Sequence, residues 1–172
     1  MGRADTSPTF DPVLDEDEDL QVARAYNFRI HDRRFTLYKE KGEPYRHVLL
    51  RASAIYLYAP IYDTLTADTP RVRNKFKPDI AAFNFANEPL FWAECGDTPA
   101  EKLEFALKHA GANEVAYLDT LPLAEMEATV RKKVHYKYLD KLVLVHVPPD
   151  TLTYMDPDHV WIDERDLDRH FF

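Results

Sequence analysis

Residues 77–103 read KPDIAAFNFANEPLFWAECGDTPAEKL, and this stretch decides the predicted fold. Two apolar runs, 79–85 and 90–95, flank the turn sequence Ala86-Asn87-Glu88-Pro89, a pattern that predicts two antiparallel strands. Thr98-Pro99-Ala100-Glu101 then favours a helix start, because Thr98 can cap the helix and Glu101 can reach back to complete a capping box. The stretch is therefore predicted to form strand, turn, strand and helix.

The chain around this stretch alternates strand-like and helix-like segments. Residues 22–40 alternate apolar and polar side chains around a break at His31-Asp32-Arg33, which predicts two antiparallel strands. Apolar residues at helical spacing predict a helix that opens at Gly42-Glu43-Pro44 and stops by Pro60, followed by a loop over 61–70. Gly111 is expected to end the helix that starts near Thr98. Further strands are predicted over 72–76, 114–118 and 142–147, a helix over 123–133, and a tryptophan-bearing segment over 159–162.

These elements predict one α/β domain over residues 20–172, with helices flanking a mixed central sheet in the order β-β-α-β-β-β-α-β-α-β. The chain has 172 residues, of which 45% are hydrophobic, enough for one such core. No apolar run approaches the length of about 18 residues that a membrane span needs. The single cysteine, Cys95, excludes an internal disulfide, and an amino terminus without an apolar stretch suggests no secretory signal. A cytoplasmic location is therefore expected.

Acidic residues are concentrated at the amino terminus. Residues 1–19 contain seven acids against one base and carry most of the net charge of −8. This composition predicts a disordered acidic tail. The tail either only solvates the protein or lies in a basic groove as a mimic of nucleic acid. The rest of the chain is close to neutral, which argues against a bulk electrostatic nucleic-acid binder and leaves room for a local basic groove.

Two carboxylates occupy unusual places in the predicted strands. Asp79 begins one strand, and Glu94 ends the apolar run of the next. A buried acid is costly unless it is paired, hydrogen-bonded or bound to a metal. Because the turn brings the two strands side by side, the acids are expected to converge on a site for a hard divalent cation such as Mg²⁺. The alternative is that each acid caps a turn or pairs with an arginine.

The order Pro78-Asp79, fourteen residues, then Glu94-Cys95-Gly96, followed by a helix, resembles the PD-(D/E)xK nuclease superfamily. The closer resemblance is to its YaeQ branch, through Trp92-Ala93-Glu94-Cys95-Gly96 and the pair Glu101-Lys102 that opens the next helix. This resemblance covers roughly residues 22–120. It implies a restriction-endonuclease-like core and a nuclease dependent on Mg²⁺ or Mn²⁺, in which the metal lowers the pKa of a bound water that attacks the phosphodiester.

The resemblance also implies roles for individual residues. Asp79 and Glu94 would be the metal-binding acids, and the backbone carbonyl of Cys95 would be a third metal ligand. Gly96 stands where the motif has its lysine, so Lys102 would supply the catalytic ammonium on its long, flexible stem. Alternatively, Lys102 is a solvated surface lysine. The departure at Gly96 leaves a second interpretation open, a non-catalytic nuclease-like scaffold or a regulatory protein that interacts with another protein, and the sequence does not decide whether the chain is an enzyme.

Four cations, Arg71, Arg73, Lys75 and Lys77, precede the first acid at alternate positions. If 71–79 is one extended strand, its period of two places all four on one face that leads to Asp79. That layout suits a phosphate backbone and predicts a nucleic-acid-binding surface. A charged edge strand that resists aggregation explains the same pattern.

Overall fold

The computed structural model describes residues 20–172, and the acidic tail predicted over 1–19 lies outside the described residues. The described strands are β1 (Arg24–Ile30), β2 (Arg33–Lys39), β3 (Ile80–Phe83), β4 (Pro89–Cys95), β5 (Glu114–Asp119), β6 (Leu142–His146) and β7 (Asp168–Phe171). The described α-helices are α1 (Tyr45–Tyr58), α2 (Ala100–Lys108), α3 (Leu123–Lys133) and α4 (Pro149–Thr153), and two 3-10 helices cover Tyr136–Lys141 and Glu164–Asp166. Of the helices in this part of the chain, none is both long and apolar enough to cross a membrane.

Five of the strands form one mixed sheet in the order β3-β4-β5-β6-β7. β3 is antiparallel to β4, the next two pairings are parallel, and β7 is antiparallel to β6. Parallel neighbours need crossover connections, and α2 and α3 supply them. The predicted class, a mixed central sheet flanked by helices, is confirmed.

Hydrophobic side chains pack on both faces of this sheet. Because successive side chains of a strand point to opposite faces, β4 contributes to two clusters. Phe91 and Ala93 pack in the cluster that contains α1 and the β1–β2 hairpin, whereas Trp92 packs in the cluster under α2 and α3. Glu94 follows Trp92 by two residues and shares its face, which is the face covered by α2.

The β1–β2 hairpin forms a separate two-stranded sheet, as the break at residues 31–33 predicted. His31 and Asp32 in its turn have φ values of +48° and +61°. Two successive positive φ values are typical of the two-residue turn whose twist matches that of antiparallel strands. Phe28, Phe35 and Leu37 are buried on the side that faces α1, so one face of the hairpin packs on the core and the other faces solvent.

The strand predicted over 72–76 is wrong. Val72 and Phe76 form an isolated antiparallel bridge, and Arg73 and Asn74 between them have φ values of +51° and +55°. These four residues therefore form a tight reversal. A strand cannot continue through two successive left-handed residues.

Two further details differ from the sequence expectations. α2 has Pro99 at its N-cap position and no side-chain capping bond, so the predicted capping box at Thr98 is wrong. The sequence analysis missed β7 and α4, since β7 is a short, largely exposed edge strand and α4 has only five residues.

Candidate functional site

The side chains of Asp79, Glu94 and Lys102 meet at the carboxyl end of β4. Asp79 immediately precedes β3, Glu94 is next to last in β4, and Lys102 lies in the first turn of α2. The ammonium Nζ of Lys102 is 2.8 Å from Oε2 of Glu94 and 3.6 Å from Oδ1 of Asp79. The three residues singled out from the sequence are therefore one cluster, in which two carboxylates share one positive charge.

Glu94 is the buried member of this cluster, with 1% of its surface exposed. Trp92 donates a hydrogen bond from Nε1 to Oε1 of Glu94 at 2.6 Å. Lys102 and the hydroxyl of Thr98 both face Oε2, the hydroxyl at 3.4 Å. Both carboxylate oxygens thus have donors, as a buried acid requires.

Asp79 is held by the end of the neighbouring strand. The backbone N–H of Cys95 donates to Oδ2 of Asp79 at 2.8 Å, while Oδ1 faces Lys102. The side chain of Asp79 is 28% exposed, so it is the solvated acid of the pair. The predicted antiparallel pairing of the two strands that carry these acids is confirmed.

These settings change the protonation of the site. Burial is the largest influence on Glu94 and, with nearby Asp79, raises the pKa of its carboxyl to about 8 against the opposing effect of Lys102 and Trp92. Burial acts to lower the pKa of Lys102, but the two carboxylates outweigh it and raise that pKa above its usual value. Lys102 is therefore charged at neutral pH, and the proton that the cluster exchanges near neutrality belongs to Glu94.

The free energy of unfolding is expected to fall as the pH rises from about 4.5 to about 8. The unfolded chain releases the Glu94 proton near its ordinary pKa of 4.5, whereas the folded protein holds it until about pH 8. The folded state is therefore favoured by Glu94 in acid and loses that advantage across this window. Glu94→Gln cannot ionise and should flatten the slope. Urea denaturation at several pH values across this window measures the free energy of unfolding of both proteins. Equal slopes of that free energy against pH would contradict the raised pKa of Glu94.

A polar cleft of about 540 Å³ lies beside the cluster. Asp79 and Lys102 line it, whereas the buried Glu94 does not reach it. Its other walls come from the end of β2, the start of α1 and the segment before β3, and they include Tyr38, Lys41, Glu43, His47, Arg51 and Lys77. Four acidic and four basic side chains line the cleft, so it is polar and does not carry an excess of either charge.

Arg51 organises one wall of the cleft, although the sequence analysis did not single it out. Its guanidinium donates to Oε1 of Glu43 at 2.7 Å and to the backbone carbonyl of Tyr38 at 2.8 Å. Glu43 in turn accepts a hydrogen bond from the backbone N–H of Glu40. These contacts join the end of β2 to α1. The sequence signal that could have found Arg51 is helical spacing, which places it four residues from His47 on the same face of α1.

Gly96 stands where the nuclease motif has its lysine, and the structure gives a physical reason for the glycine. Its φ is +79°, a conformation that residues with a side chain rarely adopt. A Cβ atom on Gly96 would lie 2.6 Å from Nε2 and 2.7 Å from Cδ2 of His47. The imidazole of His47 therefore fills the space beside the strand end, and the ammonium reaches the two acids from α2 instead.

Arg71, Arg73, Lys75 and Lys77 do not lie along one strand, so the single cationic face predicted from their alternation is wrong. The chain reverses at Arg73 and Asn74, and the guanidinium of Arg71 donates back to the carbonyl of Lys75 at 2.9 Å. All four cations are exposed, but only Lys77 among them lines the cleft. Their binding of nucleic acid stays a prediction.

Two carboxylate side chains of this cluster can offer oxygens to a metal. Within residues 20–172, no three His, Cys, Asp or Glu side chains are arranged as a metal-binding group. The resemblance implies the backbone carbonyl of Cys95 as a further ligand. The thiol of Cys95 is buried, and burial raises its pKa. Mg²⁺ commonly takes one or two carboxylates and completes its shell with water and substrate oxygens. A pair of acids that already converges on one cation fits that donor set.

The fold and this cluster define a mixed α/β domain with two acids and a lysine at the end of a central strand. No family model and no curated protein matches the chain. Among solved structures, the chain is similar to the YaeQ protein from Pseudomonas syringae, with a TM-score of 0.59 over 80% of each chain. It is also similar to the YaeQ protein from Xanthomonas axonopodis pv. citri, with a TM-score of 0.55 over 79% of this chain and 81% of that chain. Each is 16% identical to this chain, and the likeness shows that it has the fold of the YaeQ structures.

Proposed function

We propose that the protein is a metal-dependent phosphodiesterase that hydrolyses nucleic acid. The observation that carries the proposal is the shared ammonium of Lys102, which faces Glu94 at 2.8 Å and Asp79 at 3.6 Å beside a polar cleft. Phosphodiester hydrolysis needs acids that hold a cation and a positive group that stabilises charge on the phosphate. The resemblance of residues 78–96 to the PD-(D/E)xK motif supports the same assignment.

In this proposal Asp79, Glu94 and the backbone carbonyl of Cys95 hold Mg²⁺ or Mn²⁺. When bound, the metal supplies an activated water and charge stabilisation. The chain contributes fixed orientation, because Trp92 holds Glu94 and the N–H of Cys95 holds Asp79. The ammonium of Lys102 donates to a non-bridging oxygen of the scissile phosphate. Positioned donors of this kind cost no reorganisation when charge develops on the phosphate.

The proposal is tested by hydrolysis of a labelled oligonucleotide with Mg²⁺ or Mn²⁺ and with EDTA. Cleavage is expected only with the metal, and Asp79→Asn is expected to abolish it because the solvated acid of the pair loses its charge. Asp63→Asn is the matched control, since Asp63 is an exposed aspartate outside the cleft lining. Cleavage that survives EDTA, or equal cleavage by both variants, would contradict the proposal.

Tryptophan fluorescence gives a second reading that does not depend on turnover. Trp92 is hydrogen-bonded to Glu94, so a cation on Glu94 is expected to change its emission. Trp161 is the other tryptophan of the chain and is 67% exposed, so the titration is made in a Trp161→Phe background. A saturable change with Mg²⁺ that is lost in Asp79→Asn supports the metal site.

One observation favours a second candidate, a non-catalytic scaffold that interacts with another protein. The ammonium of Lys102 already contacts both acids, so each acid of the folded cluster has a polar partner without a metal. A scaffold is expected to show neither a saturable Mg²⁺ response at Trp92 nor cleavage of any oligonucleotide. The fluorescence titration and the cleavage assay therefore distinguish the phosphodiesterase from the scaffold.

A further inference from the structure

The solvent-facing side of the β1–β2 hairpin carries three cross-strand pairs that lie in register. These pairs are Ala25 with Tyr38, Asn27 with Thr36, and Arg29 with Arg34, and all six residues are exposed. We call these six residues the outer ribbon face. The opposite side of the hairpin is buried against α1, so the outer ribbon face is held on a packed support.

Arg29 and Arg34 place two positive charges directly opposite each other on this face. Like charges at opposed positions destabilise a strand pair. Within residues 20–172, neither arginine makes an ion pair with a carboxylate, whereas Arg165 and Arg169 near the carboxyl terminus pair with Asp163 and Glu164. The opposed arginines therefore form a cationic pair that an anionic partner would complement.

The outer ribbon face leads from this pair to the cleft. On β2, the side chains of Arg34, Thr36 and Tyr38 point the same way, and four residues of strand span about 13 Å. Tyr38 is 63% exposed and also lines the cleft beside Asp79 and Lys102. Arg51 donates to the backbone carbonyl of Tyr38 and so fixes this end of the ribbon to α1.

We propose that the outer ribbon face binds single-stranded nucleic acid and guides it into the cleft. Arg29 and Arg34 bind phosphates, and Tyr38 stacks on a base at the entrance to the site. A cationic pair for phosphate, together with an exposed aromatic ring further along the ribbon for a base, supplies the two kinds of contact that bind a single strand without base pairing. The guidance into the cleft rests on the proposed hydrolysis, whereas the binding itself does not.

Binding is measured by fluorescence anisotropy of a labelled single-stranded oligonucleotide in EDTA, where no metal-dependent cleavage occurs. The double variant Arg29→Ala/Arg34→Ala is expected to bind roughly tenfold or more weakly at low salt. The slope of its salt dependence is expected to fall by about 0.7 for each phosphate that is no longer neutralised. Arg165→Ala/Arg169→Ala removes the same charge from the paired arginines and is expected to bind like the parent. Equal weakening in the two double variants would show a general charge effect and overturn the proposal.

Substitutions of Tyr38 distinguish the contribution of base stacking to binding from the contribution of charge. Tyr38→Ala is expected to weaken binding without changing its salt dependence, and Tyr38→Phe is expected to restore it, because the ring stacks on any base. A duplex of the same sequence is expected to bind more weakly than the single strand. Equal binding of the duplex, or a Tyr38→Ala variant with unchanged affinity, would overturn the single-strand assignment.

The acidic tail is the competing occupant of the same face. If the tail and not nucleic acid is the partner of this face, the double substitution should leave oligonucleotide affinity unchanged both in the full chain and after removal of residues 1–19. That unchanged affinity would overturn the proposal. Failure of the proposed hydrolysis has a different signature, namely binding that depends on Arg29 and Arg34 with no cleavage in Mg²⁺.

Discussion

Lys102→Ala is expected to lower the rate of phosphodiester hydrolysis at least a hundredfold, since removing one positioned donor to a developing anion costs about 10²–10³ in rate. The decrease has two causes. In the proposed reaction the substrate phosphate loses the ammonium of Lys102, and Glu94 loses the positive partner that offsets its burial. Folded Glu94 already holds its proton up to about pH 8, and loss of Lys102 should raise this pKa further, so a cation should displace the proton less readily. The rate is measured on a labelled oligonucleotide in Mg²⁺.

Lys108→Ala is the matched control for this prediction. Lys108 lies at the other end of α2, is 37% exposed and pairs loosely with Glu104 at 4.0 Å. The two variants remove the same side chain from the same helix, and circular dichroism verifies that both remain folded. We expect Lys108→Ala to keep the parental rate. Equal rates in the two variants would leave the acids without a working positive group and favour the scaffold.

Gly96→Ala is expected to destabilise the protein by about 2–5 kcal/mol. A residue with a side chain in the left-handed region costs about 1–2 kcal/mol, and the new Cβ would lie 2.6 Å from Nε2 of His47. That separation is too short for two unbonded heavy atoms, so the imidazole or α1 has to move, and such overpacking adds about 1–3 kcal/mol. Urea denaturation measures the change in stability.

Gly111→Ala separates the backbone cost of a positive φ from the cost of the contact with His47. Gly111 has a similar φ of +80°, but a Cβ there would meet no atom within 4 Å. Its substitution should therefore show the backbone cost alone, and the difference between the two variants measures the contact with His47. Adding His47→Ala to Gly96→Ala is expected to recover that difference. Equal destabilisation at Gly96 and Gly111 would contradict the steric explanation.

The convergence of Asp79 and Glu94 could be predicted because it depends on local rules. The turn over 86–89 makes the two strands antiparallel neighbours, and the period of two then fixes the face of each residue. The position of Lys102 depends on how α2 packs on the sheet, which spacing alone does not determine. It was expected only through the resemblance to YaeQ-like chains, and the structure places its ammonium between the acids.

The predictions that the structure contradicts also have local causes. The alternation from Arg71 to Lys77 has the period of a strand, but two left-handed residues, Arg73 and Asn74, reverse the chain. Only asparagine of this pair is a common left-handed residue, so the pattern gave a weak signal. Thr98 resembles a capping residue, yet its hydroxyl lies between Glu94 and the carbonyl of Gly96. The hydroxyl of Thr98 therefore contacts the site and does not cap the helix α2.

The indole of Trp92 links the chemistry of the site to the packing of α2. Its ring packs edge-on against Phe105 of α2 with centroids 6.0 Å apart, while its Nε1 holds Glu94. α2 thus carries Lys102 towards the acids and, one turn later, packs on the residue that orients Glu94. The ammonium and the carboxylate cannot separate by a shift of α2 without disturbing this aromatic contact. We therefore expect the acid–lysine cluster and this half of the hydrophobic interior to form and to unfold together.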